Sequence, residues 1–286
     1  MDESDYIKPA LEASEVDGKR YAIPLTLETY VLFYNKDLVK TPPKTWDELL
    51  SAAKDVGFNY ALNECYYSLA IIQANGGYVF KNKDGKFDVN DIGLNNEGAV
   101  KGFEMINHLA TSGLISPSVT TDIAKGNFQN GKIGFFITGP WDVNKFKTAK
   151  VNFGVAPYPE INGAPTPTVG GVKLTFVPSA SKKKDLAWKF MKYLAKNAPY
   201  KIFKQTAAIP VLKSELEKDE IKNDPITSVF AQQSTYAIPM LCVPEFGQVF
   251  VPTGNNITAM ITGKETPKEA ADNTVAQMKE KITAMK

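Results

Sequence analysis

The stretch "GKRYAIPLTLETYVLFYNKDL", residues 18–38, is apolar almost without interruption from Tyr21 to Tyr34. Its β-branched and aromatic residues read as a strand. One ionisable group, Glu28, interrupts the run. An unpaired carboxylate inside a strand core is costly, and read from the residues alone Glu28 is expected at a solvent-exposed strand end.

Working outward, helices and strands alternate. "KTWDELLSAAKDV" carries a capping box, Thr45 with Glu48, ahead of an apolar face of Leu49, Leu50 and Ala53. "NNEGAVKGFEMINHLATSG" places Ala99, Phe103, Ile106 and Ala110 at helical spacing and stops at Gly113. "SKKKDLAWKFMKYLAKN" repeats the pattern with Leu186, Phe190, Tyr193 and Leu194. "TPKEAADNTVAQMKEKITAM" opens with Thr266, Pro267 and Glu269, a second capping box. The strand-like runs "KIGFFIT", "VNFGVAPYP" and "GGVKLTFVP" lie between these helices. The alternation predicts an α/β protein.

The chain has 286 residues, 43% of them hydrophobic and 22% charged, with a net charge of +2. That balance gives no electrostatic case for a nucleic-acid partner. No apolar run reaches the roughly 18 residues of a membrane span, and the acidic start "MDESDYIKPALEASE" is not an export signal. Arg20 is the only arginine. Arginine is the usual bidentate clamp for carboxylate and phosphate, so its scarcity disfavours a site built around an anionic ligand. Cys65 and Cys242 lack metal or redox spacing and read as two buried free thiols. His108, the one histidine, sits in a helical pattern and reads as structural or surface. Phosphate-binding glycine loops, dinucleotide fingerprints and nucleophile elbows are absent, and no cofactor is expected.

Two carboxylates stand among aromatic residues, Glu28 and Glu64. Such pairs serve glycosidases, but they equally suit sugar binding without cleavage, with carboxylates accepting hydroxyl hydrogen bonds and rings stacking on a pyranose. Residue types alone leave both readings open.

"YAIPLTLETYVLFYNKDLVKTPPKTWDELL" resembles the segment of maltose-binding proteins that runs into the inter-lobe hinge. "NECYYSLAIIQANGGYVF", "FFITGPWDVNKFKTAKVNFGVAPYP", "DLAWKFMKYL" and "ITGKETPKEAADNTVAQ" match the same family in the same order over nearly all of residues 15–286. These are the family 1 extracellular solute-binding proteins of ABC importers. The resemblance implies a two-lobed periplasmic-binding-protein fold of type II, with sugar in the cleft between α/β lobes. It also implies ligand contacts at Glu28, Glu64, Tyr66, Trp141, Phe250 and Met240. Phe250 stands where the family often carries a stacking tryptophan, and Met240 near a lesser contact. Taken singly, each has another reading. Trp141 could pack under its Gly-Pro turn, Tyr66 could be a strand aromatic, and Phe250 could be core.

Against the family pattern, the chain is expected to lack the export signal and the first elements of the first lobe. The expected division is a first-lobe remnant, residues 1–27 and 173–223, and a complete second lobe, residues 28–172 and 224–286. Hinges are expected near 27–29, 170–173 and 223–226. Loss of first strands exposes sheet edges and the apolar undersides of helices, which predicts self-association or complementation by an N-terminal fragment. The implied partners are a malto-oligosaccharide and ABC permease subunits. The implied location of the full-length protein is extracytoplasmic, periplasmic or anchored on the outer face of the membrane. Another neutral oligosaccharide is the alternative ligand, and a glycosidase using Glu28 and Glu64 the alternative activity.

Overall fold

The computed structural model describes residues 2–16, 19–83 and 86–285; Gly18, the first residue of the opening stretch, and the initial Met1 lie outside them. The apolar run forms two strands, not one. β1 spans Ala22–Glu28 and β2 spans Val31–Asn35. Thr29 and Tyr30 carry the chain from one four-stranded sheet to another.

The first sheet holds β1, a long strand β6 (Val169–Phe176) and the short strands β7 (Ile209–Pro210) and β8 (Ile238–Pro239), in the order β7-β1-β6-β8. β1 runs antiparallel to β6, with Glu28 opposite Gly171 and Ala22 opposite Phe176. Lys173 pairs with Thr26 and Leu174 with Pro24, so Leu25 is the extra residue of a bulge. Pro24 has no N–H to donate, and the register slips beside it.

The second sheet holds β3 (Phe58–Asn59), β4 (Phe135–Thr138), β2 and β5 (Phe153–Ala156), in the order β3-β4-β2-β5. Its side chains explain the unbroken hydrophobicity. Val31, Phe33 and Phe136 enter one apolar cluster, while Leu32, Phe135 and Ile137 enter another. Successive side chains of a strand point to opposite faces, and here both faces are covered. Phe33 packs against Phe128, Phe146, Phe153 and Phe230, with ring centroids 5.6–6.4 Å apart.

Helices cover the sheets. α1 is Trp46–Val56, with the expected capping box of Thr45 and Glu48. α2 is Cys65–Ala74 and α3 is Glu97–Thr111. They pack closely at Gly102, where a Cβ would lie 2.6 Å from the Cα of Ile72. Gly113 follows α3 at φ +76°, the left-handed conformation that ends helices. α4 is Thr121–Gln129, α5 Val143–Thr148, α6 Lys184–Asn197 and α7 Pro199–Thr206. α8 (Pro225–Ser234) begins where the third hinge was expected, with Asp224 accepting from the Thr227 N–H at 2.8 Å. α9 (Phe250–Ile261) and α10 (Pro267–Thr283) close the chain, the latter with the predicted Thr266–Glu269 capping box.

Between the sheets the crossing segments are bonded to one another. The Thr29 and Thr168 hydroxyls lie 2.7 Å apart, and Thr29 also donates to the Val169 carbonyl at 3.1 Å. Gln233, buried at the end of α8, donates to the Thr166 carbonyl at 2.9 Å and accepts from the Tyr158 N–H at 2.8 Å. Side-chain bonds thus knit the passages near residues 29, 168 and 233 into one polar junction. No described helix is long and apolar enough to cross a membrane.

Candidate functional site

A cleft of ≈ 370 Å³ opens beside this junction, a size that suits a small ligand. It is lined by Glu28, Glu64, Tyr66, Tyr67, Thr121, Trp141, Gly171, Lys173 and Met240. Both sheets contribute. Glu28 ends β1, Gly171 and Lys173 lie on β6, and Met240 follows β8. Glu64 and the two tyrosines open α2, and Thr121 opens α4. Trp141 sits in a 3-10 turn, Pro140–Asp142, directly after β4.

Glu28 is not bare. Its Oε2 lies 3.1 Å from the Nζ of Lys173, and the lysine is far more exposed than the carboxylate. The register accounts for the meeting: Gly171 is opposite Glu28, so Lys173, two residues on, shares that face as a diagonal neighbour. The absence of a side chain at Gly171 keeps the floor between them low. Glu64 is the residue preceding α2, exposed, and its side chain makes no capping bond.

The aromatic wall is densely packed. Tyr66 meets Tyr30 at 4.9 Å, Tyr67 at 5.4 Å and Trp141 at 6.3 Å between ring centroids. The Tyr66 hydroxyl donates to the Val169 carbonyl at 3.2 Å. Burial pushes the Tyr66 hydroxyl well above the ordinary tyrosine range, and the nearby Tyr67 and Glu28 add to the effect. Tyr67 is pushed up to about 12 by burial, partly offset by a hydrogen bond with Thr138. Both phenols therefore remain neutral donors at ordinary pH.

Of the residues expected to contact ligand, Glu28, Glu64, Tyr66, Trp141 and Met240 line this one cleft. Phe250 does not line it. It is the first residue of α9, half-buried, with its ring edge-on to Phe246 at 5.9 Å and packed on the core. Tyr66 and Tyr67 lie on a helix and not a strand; "CYYSLAIIQA" is apolar all round because the helix is buried. Lys173, Thr121, Tyr67 and Gly171 were not foreseen as lining residues. For Lys173 the strand alternation through Gly171 was readable, but the β1–β6 register was not. Cys65 is buried and Cys242 exposed, and both are free, so only the first matches the expected pair of buried thiols. His108 is exposed on α3. Among the described residues, no group of three or more His, Cys, Asp or Glu is arranged to hold a metal ion.

Comparison with known proteins bears on this geometry. The model of the family described as bacterial extracellular solute-binding protein matches residues 1–229. The galactooligosaccharide-binding protein of Bacillus subtilis is 32% identical over 99% of this chain and 70% of its own length. The maltodextrin-binding protein MdxE of the same organism is 34% identical over 93% of this chain and 68% of its own. A maltooligosaccharide ABC transporter solute-binding lipoprotein of Streptococcus pneumoniae is 32% identical over 93% of this chain and 66% of its own. The chain thus spans about two thirds of the length of these curated relatives. Among solved structures, the maltose-maltodextrin binding protein of Alicyclobacillus acidocaldarius matches with a TM-score of 0.93 and 32% identity, over 98% of this chain and 77% of that one. A cyclo/maltodextrin-binding protein complexed with maltotetraose matches with a TM-score of 0.91 and 36% identity, over all of this chain and 77% of that one. The mixed α/β architecture is that of the two-lobed solute-binding fold.

Proposed function

The chain belongs to the bacterial extracellular solute-binding protein family, and on that premise we propose that its cleft holds a malto-oligosaccharide for delivery to an ABC permease. The observation that carries this reading is the convergence of Glu28, Glu64, Lys173, Tyr66 and Trp141 on one cleft at the junction of two sheets. Carboxylates accept from sugar hydroxyls, and Lys173 donates while holding Glu28 in place. Trp141 and Tyr66 offer π-faces to the apolar face of a pyranose. Binding without hydrolysis is the reading favoured by the matched relatives, which are named as binding proteins. In this reading Phe250 serves as packing on the core.

The proposed lobes are residues 1–27 with 173–223 and residues 28–172 with 224–286. The polar junction around Thr29, Thr168 and Gln233 supports placing the hinge there. Closure over the ligand shifts a population only through contacts made in the closed form alone. The family is described as extracellular, and that supports a location outside the cytoplasmic membrane for this protein. The solved relatives carry further length with no counterpart here, so the 286-residue chain by itself is expected to bind more weakly than they do. Exposed apolar residues on α6 favour association of the isolated chain with a second copy.

A second ligand, a galacto-oligosaccharide, is favoured by the relative that matches over 99% of the chain. Titration calorimetry with maltotetraose and with a galacto-oligosaccharide, on the wild type and on Trp141→Ala, tests the proposal. Binding of maltotetraose that Trp141→Ala abolishes supports it. Preference for the galacto-oligosaccharide reassigns the ligand, and no heat with either sugar overturns the reading.

A further inference from the structure

Behind the cleft's aromatic wall stands a carboxylate that touches no ligand position. Asp142 is 0% exposed, yet four groups from different elements converge on it or its neighbour. Lys125 of α4 and Lys145 of α5 reach its Oδ1 at 3.0 and 3.1 Å. The Thr138 hydroxyl at the end of β4 donates to its Oδ2 at 2.7 Å. Tyr67 of α2 stands close enough for Thr138 and Asp142 both to act on its hydroxyl. Three cleft residues stand beside these groups. Trp141 precedes Asp142 in the chain, Thr121 lies one turn before Lys125 on α4, and Tyr67 itself lines the cleft.

The seat of Trp141 is narrow. A Cβ at Gly139 would fall 2.2 Å from the indole ring, so the ring lies directly over the glycine backbone. A ring seated this way keeps its orientation only while the Pro140–Asp142 turn keeps its own. That turn has no side-chain cap at either end. A buried carboxylate that lost its cations would be strongly unfavourable, so the three-way pairing defines where residue 142, and hence the turn, must sit. A core anchor of ordinary packing would have been apolar; a charge here specifies geometry.

We propose that Asp142 is the positioning residue of the sugar-binding wall: through Lys125, Lys145 and Thr138 it sets the orientation of Trp141 and ties it to Tyr67 and Thr121. This rests on the sugar-binding reading of the cleft. Asp142→Asn preserves shape and an acceptor for Thr138 but removes the charge that both lysines face. Lys145→Met removes one partner, the more exposed of the two lysines, and serves as the milder variant should the first fail to fold. Acrylamide quenching of tryptophan fluorescence in the sugar-free protein reads the seat of Trp141 directly, its contribution taken by difference from Trp141→Phe. Trp46 is buried elsewhere in the core and Trp188 lies on α6.

The expected result is increased acrylamide access to Trp141 in either variant that folds. Where the wild type binds maltotetraose, affinity falls about tenfold or more, the scale on which displaced binding groups are felt. A purely structural role would lower the melting temperature while leaving Trp141 quenching and the affinity of the folded protein at wild-type values, and that pattern overturns the proposal. Failure of the wild type to bind sugar overturns the functional reading instead, because the quenching comparison is made without ligand.

Discussion

Two helices of similar length tell opposite stories about the same kind of residue. α2, Cys65–Ala74, is apolar around its whole circumference, and seven of its ten residues are buried. α6, Lys184–Asn197, is strongly amphipathic, and its sequence promised a core-facing stripe. Only Met191 and Ala195 are buried there, while Leu186, Phe190 and Tyr193 are 63%, 61% and 66% exposed. Beside them Phe176, the last residue of β6, and Tyr21, just ahead of β1, are also exposed. β6 pairs with β8 only at Val169 and Gly170, leaving the remainder of that edge without a strand among the described residues. Periodicity therefore identifies a face that wants cover. It does not say what provides the cover.

The contrast can be broken at several depths. Phe33→Ala, in the ring cluster of the second sheet, is expected to cost about 3–5 kcal/mol, read as a shift of the urea midpoint. A loss under about 1 kcal/mol would mean that this region is no better packed than α6. The thiols sharpen the same contrast. Burial pushes the Cys65 thiol up to about 12 from an ordinary value near 9. A folded-state pKa raised in this way gives stability that is fully present below pH 9 and is lost as pH rises toward 12. Urea midpoints should hold from pH 7 to 8.5 and decline above pH 9, less so in Cys65→Ala. In native protein, a thiol reagent should modify Cys242 rapidly and Cys65 only after unfolding, and equal rates would refute the distinction. The smallest effect on stability belongs to Leu186→Ser, Phe190→Ser and Tyr193→Ser combined, within about 0.5 kcal/mol per site. The same triple variant should abolish concentration-dependent association in light scattering. A wild-type mass of one chain at every concentration would remove the case for a second copy on that face.

Legibility in the sequence followed the range of the physics. Capping boxes at Thr45 and Thr266 and the helix stop at Gly113 are local, and they stand where local chemistry put them. The apolar run at 21–34 was legible as a buried β segment, but its division at Thr29–Tyr30 was not, since both halves satisfy the same composition. Five expected cleft residues came together because order along the chain carried them. Phe250 was placed by counting alone and lies on the core side of α9. Lys173 and Asp142 escaped notice because a lysine and an aspartate are unremarkable until a register or a burial is known.

By itself the sequence determined the α/β class, the capped starts of α1 and α10, the end of α3 and the residue types that sugar binding requires. These depend on side-chain period and on bonds within a few residues. Only the tertiary structure decided that one apolar run feeds two sheets, that Glu28 answers to Lys173, and that a buried Asp142 stands behind Trp141. Each of those joins groups distant along the chain, through strand pairing and burial that no local pattern encodes.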